Sequence, residues 1–112
     1  MNRLEILFKQ KPKGILSFYV PSGYPVLDSM PAIVEGLATT GVDLFEIGIP
    51  YSDPLADGPV IQACHQQALE NGFKLKHLMV QLKELRSRCE TPLVLMSYLN
   101  PALAYGCLLY TS

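Results

Sequence analysis

The chain has 112 residues, of which 49% are hydrophobic and 17% charged, a balance that suits one small domain with a packed interior and excludes a disordered chain. Its formal net charge is −1, and its basic residues are scattered (Lys9, Lys11 and Lys13 alternate; Arg86 and Arg88 close a helical pattern), so no nucleic-acid or membrane-binding patch is expected. No apolar run approaches the roughly 18 residues of a membrane span, the opening segment lacks the apolar core of a signal peptide, and Cys64, Cys89 and Cys107 form no CxxC pair, so no metal site is expected and a reducing cytoplasm is the expected location.

In residues 2–10, Leu4, Leu7 and Phe8 fall at i, i+3, i+4, which predicts a short amphipathic helix. Residues 15–20 (ILSFYV), bounded by Gly14 and Pro21, predict a buried strand followed by turn chemistry in PSGYP. Met30, Ile33, Val34 and Leu37 set a helical stripe with Asp28 or Ser29 as its cap and Gly41 just past its end. Residues 42–49 (VDLFEIGI) form a second short apolar run. A loop rich in Pro, Asp and Gly follows to Gly58, and Pro59 opens another helix reaching about Asn71. Leu75, Leu78, Met79, Leu82 and Leu85 line one face of the clearest helix, 74–88. After Pro92 the run LVLMSY reads as a third strand buried on both faces, and Asn100-Pro101 marks a loop. Strands alternating with helices predict an α/β fold with a parallel sheet. Three open strands leave edges and one face without cover, so the expectation is a part of something larger.

Chemistry concentrates in residues 45–62, FEIGIPYSDPLADGPVIQ. Glu46 interrupts an apolar strand, where a carboxylate is costly unless paired or used. Alternation puts Leu44, Glu46 and Gly48 on one face and Phe45, Ile47 and Ile49 on the other, with Glu46 near the strand's C-terminal end, where parallel α/β proteins build their sites. Asp57 follows Glu46 by eleven residues, a loop long enough to fold back over that end. One carboxyl would then be poorly solvated and the other well solvated, which suits acid–base work by separate groups. Simpler roles fit the same residues: Glu46 as a structural hydrogen-bond partner, and Asp57 and Asp53 as turn or cap residues before Gly58-Pro59 and Pro54.

The string from Glu46 to Gln62 resembles the signature of the tryptophan synthase alpha chain family over seventeen positions. Leu7-Phe8, Gly23-x-Pro25 and Met96-Ser97-Tyr98-x-Asn100-Pro101 resemble the same family in order and spacing. The resemblance spans about residues 2–106. It implies the N-terminal part of a TIM (β/α)8 barrel, with the opening helix and about three βα units, in residues 1–106. The tail, 107–112, does not resemble the family.

The resemblance further implies retro-aldol cleavage of indole-3-glycerol phosphate to indole and glyceraldehyde 3-phosphate in tryptophan biosynthesis. Glu46 and Asp57 match the family's catalytic pair: Glu46 to protonate indole C3 and then take the glycerol hydroxyl proton, Asp57 to hold the indole N–H. Tyr19, Met96 and Tyr98 fall where the family lines its indole pocket, and plain core packing fits Tyr19 and Met96 equally well. Ser52, Asp53 and Pro54 lie in the loop expected to close over substrate and touch a partner. That partner is a beta chain carrying pyridoxal phosphate, in an α2β2 assembly; this chain needs no cofactor. Family members are more than twice as long, and their glycine-rich phosphate site falls in later strands. The 112-residue chain is therefore expected to fold poorly alone and to turn over little substrate. Two alternatives stand beside this reading: an inactive fragment that only docks on the beta chain, and another phosphate-substrate barrel enzyme.

Overall fold

The computed structural model describes residues 2–105. Helix α1 spans Arg3–Gln10 and is capped by Asn2, whose side chain accepts the Glu5 N–H at 2.9 Å. Three strands follow among the helices, β1 at Ser17–Pro21, β2 at Leu44–Gly48 and β3 at Leu93–Met96. They form one parallel sheet in the order β1-β2-β3, as the alternation predicted. Tyr19, Glu46 and Val94 are register partners across it, as are Val20, Ile47 and Leu95. The four remaining helices are α2 (Ser29–Ala38), α3 (Pro59–Glu70), α4 (Leu75–Arg86) and α5 (Leu99–Tyr105).

The two faces of the sheet have different fates. Val20, Phe45, Ile47 and Ile49 pack in one cluster with Met30 and Val34 of α2 and Leu78 and Leu85 of α4. Each such side chain, fully buried, stabilises the fold by about 1.5–3 kcal/mol. The opposite face carries Tyr19, Glu46, Val94 and Met96 and is more open, the first three being half-buried and Met96 exposed. This corrects the expectation for the third strand. Its inner-facing Met96 is 46% exposed, and the strand ends there, with Ser97 and Tyr98 beyond it.

Two local expectations also change. Asp28 occupies the N-cap position of α2 but makes no cap hydrogen bond. Its Oδ1 instead accepts the Gln81 amide at 2.9 Å and lies 3.0 Å from His77 Nε2, so it ties α2 to α4. Asn100-Pro101 does not break the chain, since α5 runs through it. Proline in a first helical turn forfeits only an N–H that has no intrahelical partner.

The turn after β1 follows its sequence closely. Gly23 has φ +76°, and a Cβ there would lie 3.1 Å from the Ala68 Cβ of α3, so the position needs glycine twice over. Asn71 then donates to the carbonyls of Gly23 and Pro25 at 2.9 and 2.8 Å, fastening this turn to the end of α3. No helix among the described residues is long and apolar enough to cross a membrane.

Candidate active site

At the C-terminal end of the sheet a cavity of about 250 Å³ is lined by Tyr19, Ile49, Ala56, Asp57, His65, Met96, Ser97 and Tyr98. Four residues singled out from sequence therefore converge: Tyr19 from β1, Asp57 from the loop after β2, and Met96 and Tyr98 from the end of β3. Glu46 does not line this cavity. It sits beside it on the same sheet face, half-buried, as the register partner of Tyr19 and Val94.

The loop folds back as its length allowed. Tyr98 donates its hydroxyl proton to Asp57 Oδ2 at 3.0 Å, and its own oxygen accepts the Ala56 N–H at 3.0 Å. His65 Nε2 lies 3.2 Å from the same Oδ2. The Gln62 amide donates to the Asp57 backbone carbonyl at 2.8 Å, fixing the start of α3. Tyr51 stacks on Tyr98, with ring centroids 5.3 Å apart, and accepts a hydrogen bond from the Asn100 amide at 2.7 Å. One carboxylate oxygen is thus held by the protein, while Oδ1 accepts no hydrogen bond from the described residues.

Tyr19 stands between the two carboxylates. Its hydroxyl pKa is raised, first by burial and then by the nearby Asp57, with Glu46 adding to it. Tyr98 is raised as well, by desolvation first and by its hydrogen bond to Asp57 next. Both therefore stay protonated around neutral pH and can donate hydrogen bonds. The Tyr19 ring lies over Gly48: a Cβ at that position would fall on its hydroxyl and 2.6 Å from its Cζ. Glycine there is the seat of this ring.

Ser52, Asp53 and Pro54 point elsewhere. Ser52 donates to Asp53 at 3.2 Å, and Pro54 is buried. Ser52 and Pro54 line a larger groove of about 460 Å³ on the outer side of the loop, with Tyr51, Gln62, Gln66 and Glu70. The only carboxyl among its lining residues is Glu70, which accepts from the Gln66 amide at 3.3 Å, whereas Asp57, His65 and two tyrosines converge on the smaller cavity, the better candidate for chemistry. Leu55 on the same loop is 87% exposed.

Sequence reasoning missed His65, Tyr51 and the seat at Gly48. For His65 a signal existed. Ile61, Cys64, His65 and Ala68 fall at i, i+3, i+4, i+7 of α3, so its buried face includes the histidine. Cys64 and Cys89 are both buried free thiols.

Comparison with known proteins follows the same outline. The family model of the tryptophan synthase alpha chain matches residues 7–111, reaching past the boundary drawn at 106; the tail itself lies outside the described residues. Over 106 residues the chain is 49% identical to a tryptophan synthase alpha chain of Parabacteroides distasonis, covering 95% of this chain and 41% of that protein. It is 50% identical to that of Phocaeicola vulgatus over the same shares. Among solved structures, the tryptophan synthase alpha subunit of Legionella pneumophila superposes with a TM-score of 0.90 at 36% identity, over 98% of this chain and 44% of that one. The tryptophan synthase complex of Pyrococcus furiosus gives 0.77 at 42% identity, over 83% of this chain and 38% of that one. The chain thus spans about two fifths of the length of the relatives it matches, and its sheet and helices are the N-terminal part of their (β/α)8 barrel. With its family signature matched along nearly its whole length, the chain belongs to the tryptophan synthase alpha chain family.

Proposed function

We propose that residues 1–106 supply the first βα units and both acid–base carboxylates of an alpha subunit that cleaves indole-3-glycerol phosphate to indole and glyceraldehyde 3-phosphate. The observation that carries this reading is the Asp57 carboxylate, gripped through one oxygen by Tyr98 and left with the other oxygen unengaged, beside a face that carries Glu46. The carbon–carbon bond of the substrate breaks readily only once indole C3 is protonated, which turns the ring into an electron sink. Glu46 in its acid form delivers that proton; as a carboxylate it then takes the glycerol hydroxyl proton while the aldehyde carbonyl forms. Asp57 accepts the indole N–H and offsets the positive charge that grows on the ring. Tyr19, Met96 and Tyr98 supply the flat, largely apolar wall that an indole needs.

In the same reading, Ser52, Asp53 and Pro54 belong to a loop that closes over substrate and meets a beta chain carrying pyridoxal phosphate, in an α2β2 assembly in the cytoplasm. The exposed Leu55 and the groove beside Pro54 support a partner on this side.

The test is a completed barrel: residues 1–105 of this chain joined to the part of the Parabacteroides distasonis alpha chain that follows the matched region. It is expected to release indole and glyceraldehyde 3-phosphate in equal amounts from indole-3-glycerol phosphate. A folded chimaera that binds the substrate and releases no indole would refute the reading and favour a different phosphate-substrate enzyme or a docking module.

A further inference from the structure

His65 is buried, with 6% of its surface exposed, and it plays no part in the chemistry assigned above. Its ring nevertheless touches both ends of the loop that carries Asp57. The backbone N–H of Tyr51, at the start of the loop, donates to His65 Nδ1 at 2.8 Å. The Asp57 carboxylate, at its end, lies 3.2 Å from His65 Nε2. A backbone N–H can only donate, so Nδ1 must present its lone pair. The hydrogen-bond network thereby assigns the ring proton to Nε2, facing the carboxylate. The Tyr98 ring stands edge-on to the imidazole, at 6.2 Å and 75° between the ring planes, and helps fix its plane.

We infer that His65 is a positioning residue for the cleavage reaction: a tautomer-locked imidazole that aims Asp57 and pins the two ends of its loop together. The inference rests on the role given to Asp57 in the proposed function. Asp57 Oδ2 accepts the Tyr98 hydroxyl at 3.0 Å and lies 3.2 Å from His65 Nε2, a close electrostatic contact rather than a directed hydrogen bond. A hydrogen bond from the end of β3 and a polar N–H placed against the same oxygen by α3 restrict the carboxylate from two sides, where the hydrogen bond alone would let it turn about its single bonds. With the plane fixed, Oδ1 keeps its direction toward a donor in the cavity. The His65 side of this contact is shielded from water, its side chain being 7% exposed, while the Asp57 side chain is 32% exposed and keeps access to the cavity. His65 touches Asp57 and Tyr51 rather than the reacting atoms, and so acts through Asp57.

The experiment uses the completed barrel with His65→Leu and His65→Gln. Leucine removes both ring nitrogens; glutamine keeps an N–H at about the reach of Nε2. His65→Leu is expected to lower kcat for indole release roughly 10- to 100-fold, the scale of a small misplacement of a reacting group, with KM changed much less. His65→Gln is expected to restore most of that loss. Nitrogen-15 NMR of the unsubstituted protein is expected to show the Nε2–H tautomer, and the Asp57 carboxyl carbon resonance is expected to shift in His65→Leu. An Nδ1–H tautomer, or a folded leucine variant with unchanged kcat, would overturn the inference. The spectra decide the matter even where a variant fails to fold, and they separate the two readings: a barrel that releases no indole yet shows the Nε2–H tautomer and the shifted Asp57 resonance fails the proposed function, not the placement of His65.

Discussion

Gly48→Ala is the sharpest probe of how the site is built. A Cβ at Gly48 would fall on the Tyr19 hydroxyl, 2.6 Å from Cζ and 3.0 Å from Cε2. Ordinary van der Waals contact begins at 3.4 Å, so the ring must retreat by about 0.8 Å or more. Forcing a methyl group against a packed ring typically costs about 1–3 kcal/mol. The same change in open space would be mildly favourable, by roughly 0.5–1 kcal/mol, because alanine loses less backbone entropy than glycine. The sign of the effect should therefore depend on Tyr19. Urea unfolding of the completed barrel is expected to show Gly48→Ala destabilising beside Tyr19, and neutral or stabilising in a Tyr19→Ala background. A second signal follows from the electrostatics. Burial is the first cause of the raised Tyr19 pKa, with Asp57 and Glu46 adding to it. A ring displaced toward solvent should titrate closer to the ordinary tyrosine value of about 10, which ultraviolet titration can follow. An equal cost of Gly48→Ala in both backgrounds would refute the claim that this glycine is the seat of Tyr19.

Three further outcomes are expected. Phe45→Ala, at a fully buried position of the core cluster, should cost about 3–5 kcal/mol in denaturant unfolding. The Asp43 pKa is lowered, first by the Leu16 N–H at 2.8 Å and then by Lys11 at 2.9 Å. Its contribution to stability is thus present above the unfolded carboxylate value of about 3.9 and is lost as pH falls through the lower folded value. Melting temperatures of the parent and Asp43→Asn should differ at neutral pH and converge in acid. Tyr98→Phe removes the donor to Asp57 Oδ2 and the acceptor for the Ala56 N–H; kcat for indole release should fall roughly tenfold, as steady-state assays would show.

Much of this was legible in the residues because local rules and the fold agree. Alternation in residues 42–49 put Phe45 and Ile47 on one face and Glu46 on the other, and the structure keeps that division, with Phe45 and Ile47 in the core. Pro59 opens α3 as expected of a first-turn proline. The differences arise where tertiary partners outrank local signals. Asp28 is drawn to Gln81 and His77 across the helix pair instead of capping its own helix. The third strand looked buried on both faces because its apolar run is continuous, yet only Leu93 and Leu95 pack against the core. The helical stripe of α3 could show that His65 is buried, but its partners, like those of Gly48, could not be read from the residues. His65 gains meaning from a backbone N–H fourteen positions away, Gly48 from a ring on the neighbouring strand. Neither relation is written in periodicity.

The proposal that Glu46 supplies the proton is tested most directly by the rate of indole release from indole-3-glycerol phosphate in the completed barrel carrying Glu46→Gln. The amide keeps the size of the side chain and removes its acid. A loss of at least about 100-fold relative to the unsubstituted barrel, with the fold intact, is the predicted result. Release within tenfold of the unsubstituted rate would contradict it and leave the proton to another group.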